Sequence, residues 1–454
     1  MRNSFSIVFT LSVTLALFII TQSSSVGVSL LLFLILGIAS VKIISPNKQL
    51  ENVILNVFFI TFSVYLLYAS VIYLGYEYNN FKFYFFPDQG YFYDNSNELI
   101  NLQSIKDVYN ETIVKRVHYE NEGAFFLFGS IAYLANTYFD GNSVFLQIIF
   151  TSFTGILTIV FVSRTLYYYQ EDLVKLKKNA LIFAFLSPLF FYSSFILRDV
   201  HICLMYAISL YLIHQKFKLL NIIYLIILFF IVKEFRLENA LFLLSFIVFY
   251  VFTNRNSNSL IKKIYPFIFI TGIAATILAI NFLLKDINNS VQSFEMYENY
   301  TESKLNDGFG AVLYKLPFGI KQLALIINSQ LTPLPPWSFI NFRHNIFIML
   351  SGLVMTIVTI FWSILFISSV FSLVIKKAFK NYEFKFIFLL LLFFLFLLLN
   401  TSNINVRRLM PMYPILFFLF VSLKQTKHFK QIFSQSSVIY ISIVSLYIFL
   451  KTFL

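Results

Sequence analysis

Long apolar runs separated by short polar turns recur along this chain. Many reach the roughly 17–25 residues that an α-helix needs to cross a bilayer. Hydropathy predicts spans near 4–22, 26–44, 53–76, 144–167, 180–197, 199–214, 219–232, 238–253, 264–284, 346–372, 384–400, 409–423 and 436–453, about 13 in all. Arg2 precedes the first span, as in a signal peptide, but no small-residue cleavage pattern follows, so the span is read as a retained helix. Residues 124–140 are an exception. Ala124–Phe139 is apolar enough to cross, yet crossing would carry Lys175, Lys177 and Lys178 outside and invert every later loop. An interfacial or re-entrant helix is expected there.

Two long segments then face outward, 77–143 and 285–345. The expected fold is an all-α polytopic membrane protein. It forms one integral domain over 1–454, with interfacial helices in its two long outer loops. Composition agrees: 59% of residues are hydrophobic and 12% charged, where soluble domains carry about 25% charged residues. That excludes a soluble globular domain and a disordered chain.

The net charge of +13 would suggest a nucleic-acid partner in a soluble protein. Divided by side, it reads as topology. With the N-terminus inside, the cytoplasmic face holds 19 of the 34 Lys and Arg but four of the 21 Asp and Glu, or +15. The outer face keeps 15 cations and 17 acids, or −2. Cytoplasmic loops are enriched in Lys and Arg in just this way. Nucleic acid is therefore not expected as a partner. The phosphate-loop pattern G-x-x-x-x-G-K-[ST], H-E-x-x-H and C-x-x-C are all absent from the sequence. ATP hydrolysis, zinc and other cofactors are not expected. Cys203 is the single cysteine and can form no internal disulfide.

Candidate chemistry lies on the outer side. Asp88 and Asp94 sit among Phe85, Phe86, Tyr91, Phe92 and Tyr93, soon after the third span emerges. A carboxylate at a partly dry boundary can act as a general base. Pro87 and Gly90 are expected to turn the chain there. Short outer turns carry Arg198 with Asp199 and His201, then Lys233, Glu234 and Arg236, and later Arg407 and Arg408. Arg343 and His344 close the second long loop. Anchoring of helix ends would account for any one of them. Arg against the charge bias at several turns suits phosphate, which its planar fork can grip. Trp337, after Pro333, Pro335 and Pro336, is either a boundary anchor or a platform for a sugar ring or prenyl chain. Upstream, Gly308–Leu325 is expected to be a helix lying on the membrane.

The acidic first outer loop (PDQGYFYD), the turn ILRDV at 196–200, the late Pro-Pro-Trp loop and RRLMPMYP at 407–414 together resemble a broad family. It comprises bacterial multi-spanning glycosyltransferases of the GT-C type and the O-antigen or capsule repeat-unit polymerases. The resemblance implies a bacterial inner-membrane enzyme acting on the periplasmic face. Its substrate would be an undecaprenyl-(pyro)phosphate-linked oligosaccharide, and other polysaccharide-assembly proteins would be possible partners. It also implies that Asp88, then Asp94, is the base. Arg198, Arg236, Arg343 and Arg407 would grip the lipid phosphate, with Arg408, Lys233, His344 and Trp337 beside them. Polymerisation of repeat units is the leading expectation. Addition of a single sugar is the alternative, and a flippase for the same glycan is the rival of another class. Charges gathered at the ends of spans, and not in their middles, weigh against the flippase.

Overall fold

The computed structural model of the chain describes residues 2–80, 83, 85–86, 88–115, 121–254, 316–317, 320–331, 333–340, 345–374 and 406–453. The expected spans at 264–284 and 384–400, together with Arg343 and His344, lie outside the described residues. Among those described there are helices and no strand. Five helices are long and apolar enough to cross a membrane. They are α2 (Ser24–Ile44), α3 (Lys48–Glu77), α7 (Val144–Leu166), α14 (Ile346–Val374) and α16 (Phe429–Phe453). Shorter apolar helices are α1 (Arg2–Thr21) and α15 (Tyr413–Lys424).

Polar caps start these helices where the apolar runs begin. Ser23, Asn47 and Ser143 accept from the amides of Val26, Leu50 and Leu146, starting α2, α3 and α7. Each such cap contributes on the order of 1 kcal/mol. α7 is the axis of the bundle, with 83% of its apolar window buried against 39% for α2 and 22% for α16. The poorly buried helices carry rows of exposed Leu, Ile and Val, including Leu31, Leu32, Ile35 and Leu36 on α2 and Val438, Ile441 and Leu446 on α16. A bilayer would cover such a surface.

The turns sort into two ends. At one, Asp140 accepts from the amides of Ser24 and Ser25 at 3.0 and 2.8 Å, and Asn345 donates to the carbonyl of Gly75 at 3.0 Å. At the other, Arg164 donates to Ile44 at 2.9 Å, and Lys424 donates to Asn179 at 2.9 Å. The first set joins turns that the charge tally puts outside, and the second joins turns it puts inside.

The first long loop folds as α4 (Asp88–Glu98), α5 (Ile105–Tyr109) and α6 (Glu122–Tyr138). Gly90 lies inside the first turn of α4 and not in a reverse turn. α6 begins against the end of α11 (Leu219–Phe235): a Cβ on Gly123 would fall 2.9 Å from the Glu234 carbonyl oxygen. It then climbs to the N-terminal end of α7.

The expected span 180–197 is interrupted. α8 (Leu173–Leu186) stops at Ser187, α9 (Pro188–Tyr192) is one short turn, and 193–197 is buried without helix before α10 (Arg198–Ile213) begins. Pro188 has no N–H to continue the ladder of α8. Irregular backbone at such depth needs partners from the protein. Ser152 donates to the Ser193 carbonyl at 3.0 Å, and Gln89 accepts from the Ile196 amide at 3.1 Å. Gly155 makes room, since a Cβ there would meet Ser193 Oγ at 2.1 Å. The remaining described helices are α12 (Leu237–Asn254) and α13 (Ile320–Leu331). α13 starts well after Gly308, and the earlier part of the expected membrane-surface helix is not described.

Candidate functional site

Four charged side chains from four parts of the sequence meet where α4, α10, the end of α11 and the turn Val406–Met412 converge. Arg236, the residue after α11, donates through Nη1 to Asp199 Oδ1 at 2.9 Å. Both side chains are buried, at 5% and 4% exposed. The second oxygen of Asp199 lies 3.8 Å from Arg407 Nε. Arg407 in turn donates through Nη2 to Asp88 Oδ2. The chain Arg236–Asp199–Arg407–Asp88 thus alternates in sign. It runs from full burial to a carboxylate that is 48% exposed.

Its depth follows from helix register. Thr154 Oγ1 lies 3.1 Å from His201 Nδ1, and Arg164 lies over the Tyr211 ring. α7 and α10 therefore run in parallel, with 201 level with 154. Asp199 is then about eight residues, or roughly 12 Å, below the N-terminal end of α7. The sequence suggests charges at the ends of spans; these are recessed within the bundle. The short helices α10 and α11 and the broken α8–α9 segment leave the room, and α6 stands over the end of α11.

Each charged group is positioned by local structure. Asp88 opens α4, and its neighbour Gln89 is fully buried. Gln89 Nε2 donates to Tyr76 Oη at 2.8 Å while its oxygen takes the Ile196 amide. One side chain so fastens α4 to α3 and to the unwound stretch ahead of Arg198. Arg407 stands in a 3-10 turn, Val406–Met412, whose Met410 carbonyl accepts from Cys203 Sγ at 3.3 Å on α10. The guanidinium lies 5.7 Å from the centre of the Phe86 ring. Phe86 packs on Tyr192 and Phe195 at 5.6 and 5.1 Å. This aromatic wall excludes water from one side of the ion pairs, which strengthens them.

Other candidates stand nearby or apart. Arg198 Nη1 donates to the Phe235 carbonyl at 3.1 Å, tying the start of α10 to the end of α11. Lys233 is half-buried in the last turn of α11. Arg408 follows Arg407 in the same turn. Asp94 is exposed, and six residues along α4 it points about 120° away from Asp88. Trp337 is 49% exposed in the turn Pro336–Phe339. Phe339 of that turn packs on Phe85 and Phe191 at 6.3 Å each, beside the aromatic wall.

Asp199 and Gln89 are the members that sequence reasoning did not select as site residues. Asp199 stands beside Arg198 in the ILRDV turn; Gln89 carries no charge and gave no signal. His201 is buried among Phe128, Phe150 and Phe235. Among the described residues no three His, Cys, Asp or Glu side chains gather as a metal site requires. Comparisons with protein-family models, curated proteins and solved structures found no match to this chain.

Proposed function

We propose that this membrane protein is a glycosyltransferase whose substrate is a polyprenyl-(pyro)phosphate-linked glycan, most simply a polymerase of repeat units. The single observation that carries the reading is the meeting of Asp88 and Arg407, 319 positions apart, at the exposed end of a buried ion-pair chain. The chemistry required is a base next to a cation. Asp88 takes the proton of an acceptor hydroxyl as its oxygen bonds to the anomeric carbon. The bond from that carbon to the phosphate oxygen breaks, and the phosphate leaves with the electron pair. Arg407 neutralises the charge that builds on it, the kind of stabilisation that usually dominates such transfers. Asp199 and Arg236 hold Arg407 in place, and Arg198 offers a second guanidinium to the phosphate.

The charge tally supports an orientation with the N-terminus in the cytoplasm and this site on the periplasmic side of a bacterial inner membrane. The test is complementation of a polymer-deficient strain. Asp88→Asn and Arg407→Gln, made as folded protein, should each lower long-chain polymer at least about 100-fold. Polymer at wild-type level in both would overturn the reading. Uniform addition of one sugar would convert it to a single-sugar transferase. The recess of the charges favours a second reading, a flippase for the same lipid-linked glycan. Glycan accumulating on the cytoplasmic face in Arg407→Gln, with transfer intact, would establish that instead.

A further inference from the structure

At the end of the bundle opposite Asp88 there is a cavity of about 780 Å³. It is lined by Lys175, Lys178, Lys424, Asn179, Gln170 and Asp172, among others. Lys175, Lys178 and Asn179 fall at i, i+3 and i+4 on α8 and so share one face. Lys424 ends α15 and reaches across from the other wall. We propose that this cavity binds an anionic phosphate-bearing group, such as the headgroup of an acidic phospholipid in the adjacent leaflet.

The way Lys424 is held points to an anion. Its ammonium donates to Asn179 Oδ1 at 2.9 Å. Asn179, 3% exposed, is itself fixed by donating to Gln170, 8% exposed. A buried amide pair thus aims the cation without neutralising it. Among the described residues no carboxylate pairs with Lys424 or Lys178. Of the two acids that also line the cavity, Glu171 and Asp172, the second is already engaged. It caps α8 through the amides of Val174 and Lys175 at 3.0 and 3.1 Å, and it lies 3.5 Å from Lys175 Nζ. Glu171 is exposed. Two ammonium groups facing one space, neither of them paired with an acid, are stabilised by an anion placed there. Lysine suits such a group as a compact charge with three donors. The volume lies in the range that takes a small ligand or headgroup. A solvated surface would need no buried amide relay behind its lysines.

The test uses the full chain in detergent and native mass spectrometry with three probes: phosphatidylglycerol, phosphatidylcholine and inorganic pyrophosphate. The wild type should retain phosphatidylglycerol over phosphatidylcholine. A lysine near an acidic surface contributes about fivefold in affinity. Lys178→Gln alone should therefore weaken retention about fivefold, and with Lys424→Gln about thirtyfold. Lys178 is exposed, so the single variant tests the site even where the double variant misfolds. Lys427→Gln, exposed at the same end but outside the cavity, should change nothing. Retention of pyrophosphate with the same dependence on the two lysines also supports the site and identifies a soluble ligand. Equal binding by wild type and Lys178→Gln overturns the proposal. So does an equal loss in Lys427→Gln, which would mean diffuse attraction to the whole basic face.

Discussion

Replacing Asp199 with Asn removes a buried carboxylate that touches two guanidinium groups, Arg236 at 2.9 Å and Arg407 at 3.8 Å. Arg236 has no other ion-pair partner among the described residues and is 5% exposed, so its charge is left without compensation. Breaking a buried pair from one side costs about 3–5 kcal/mol. Asp199→Asn belongs at the upper end of that range, because Arg407 is weakened too. Arg236→Gln belongs at the lower end, since Asp199 keeps Arg407. The double variant Asp199→Leu/Arg236→Met removes both charges, and well-packed apolar pairs replace buried ion pairs at little or no loss. It should be more stable than Asp199→Leu or Arg236→Met alone, with a coupling between these two on the order of 1–3 kcal/mol. Unfolding can be followed by tryptophan fluorescence, because Trp362 is fully buried on α14, 4.5 Å from Tyr413 just after the Arg407 turn. A stable Asp199→Asn, or a double variant that loses the sum of the two single losses, would refute the ion-pair account.

Gln89→Leu leaves the Ile196 amide and the Tyr76 hydroxyl without their partner and should cost about 2–4 kcal/mol in thermal or denaturant unfolding; wild-type stability would mean that other contacts hold α4. Asp140 sits at the N-terminus of α2, outside the spans. Its partial burial would raise the carboxyl, but the Ser25 amide, the hydroxyls of Ser23 and Ser25 and its own amide outweigh this and hold it well below the usual carboxylate range. A depressed folded-state value means stability that is present above about pH 4 and lost as the pH falls further. Asp140→Asn should therefore be less stable than wild type at pH 6, with a gap that narrows steadily as the pH falls below about 4 in thermal unfolding; a constant gap from pH 6 to about pH 2 would overturn the capping role.

The sequence signals that proved legible were those with long apolar runs behind them. The spans at 26–44, 53–76, 144–167 and 346–372 correspond to α2, α3, α7 and α14 within a few residues at most ends. What escaped was any feature made by contact at a distance. A hydropathy window averages over Pro188 and cannot show that 193–197 loses its helix, because the side chains that satisfy that backbone, Ser152 and Gln89, come from elsewhere in the chain. Arg236 reads from the sequence as an outer-turn candidate for phosphate, without its burial, for the same reason. Nothing near it in sequence reveals that Asp199 lies opposite. Burial of a charge depends on how short α10 and α11 are relative to α7, which becomes visible only once Thr154 and His201 fix the register.

That register also changes what the site can do at rest. Two acids and two guanidinium groups in alternation neutralise one another, so the cluster presents no net charge to attract a phosphate by long-range steering. On the proposed reading, recognition of a phosphate by Arg407 then comes from exchange of partners, beside the guanidinium of Arg198. Asp88 is 48% exposed and Arg407 17%, whereas Asp199 and Arg236 are nearly sealed. Asp88 is therefore the member whose release into water costs least. On the proposed reading, a lipid phosphate reaching Arg407 displaces Asp88 and leaves the inner pair unchanged. The displaced carboxylate is then free to take the proton of an acceptor hydroxyl, and only when the leaving group is in place. An Arg407→Lys variant would keep the charge but lose the fork that can hold Asp88 and Asp199 together. It should bind the lipid phosphate while transferring slowly, so that kcat falls more than KM rises. A variant with unchanged kcat would show that Asp88 is not gated by Arg407.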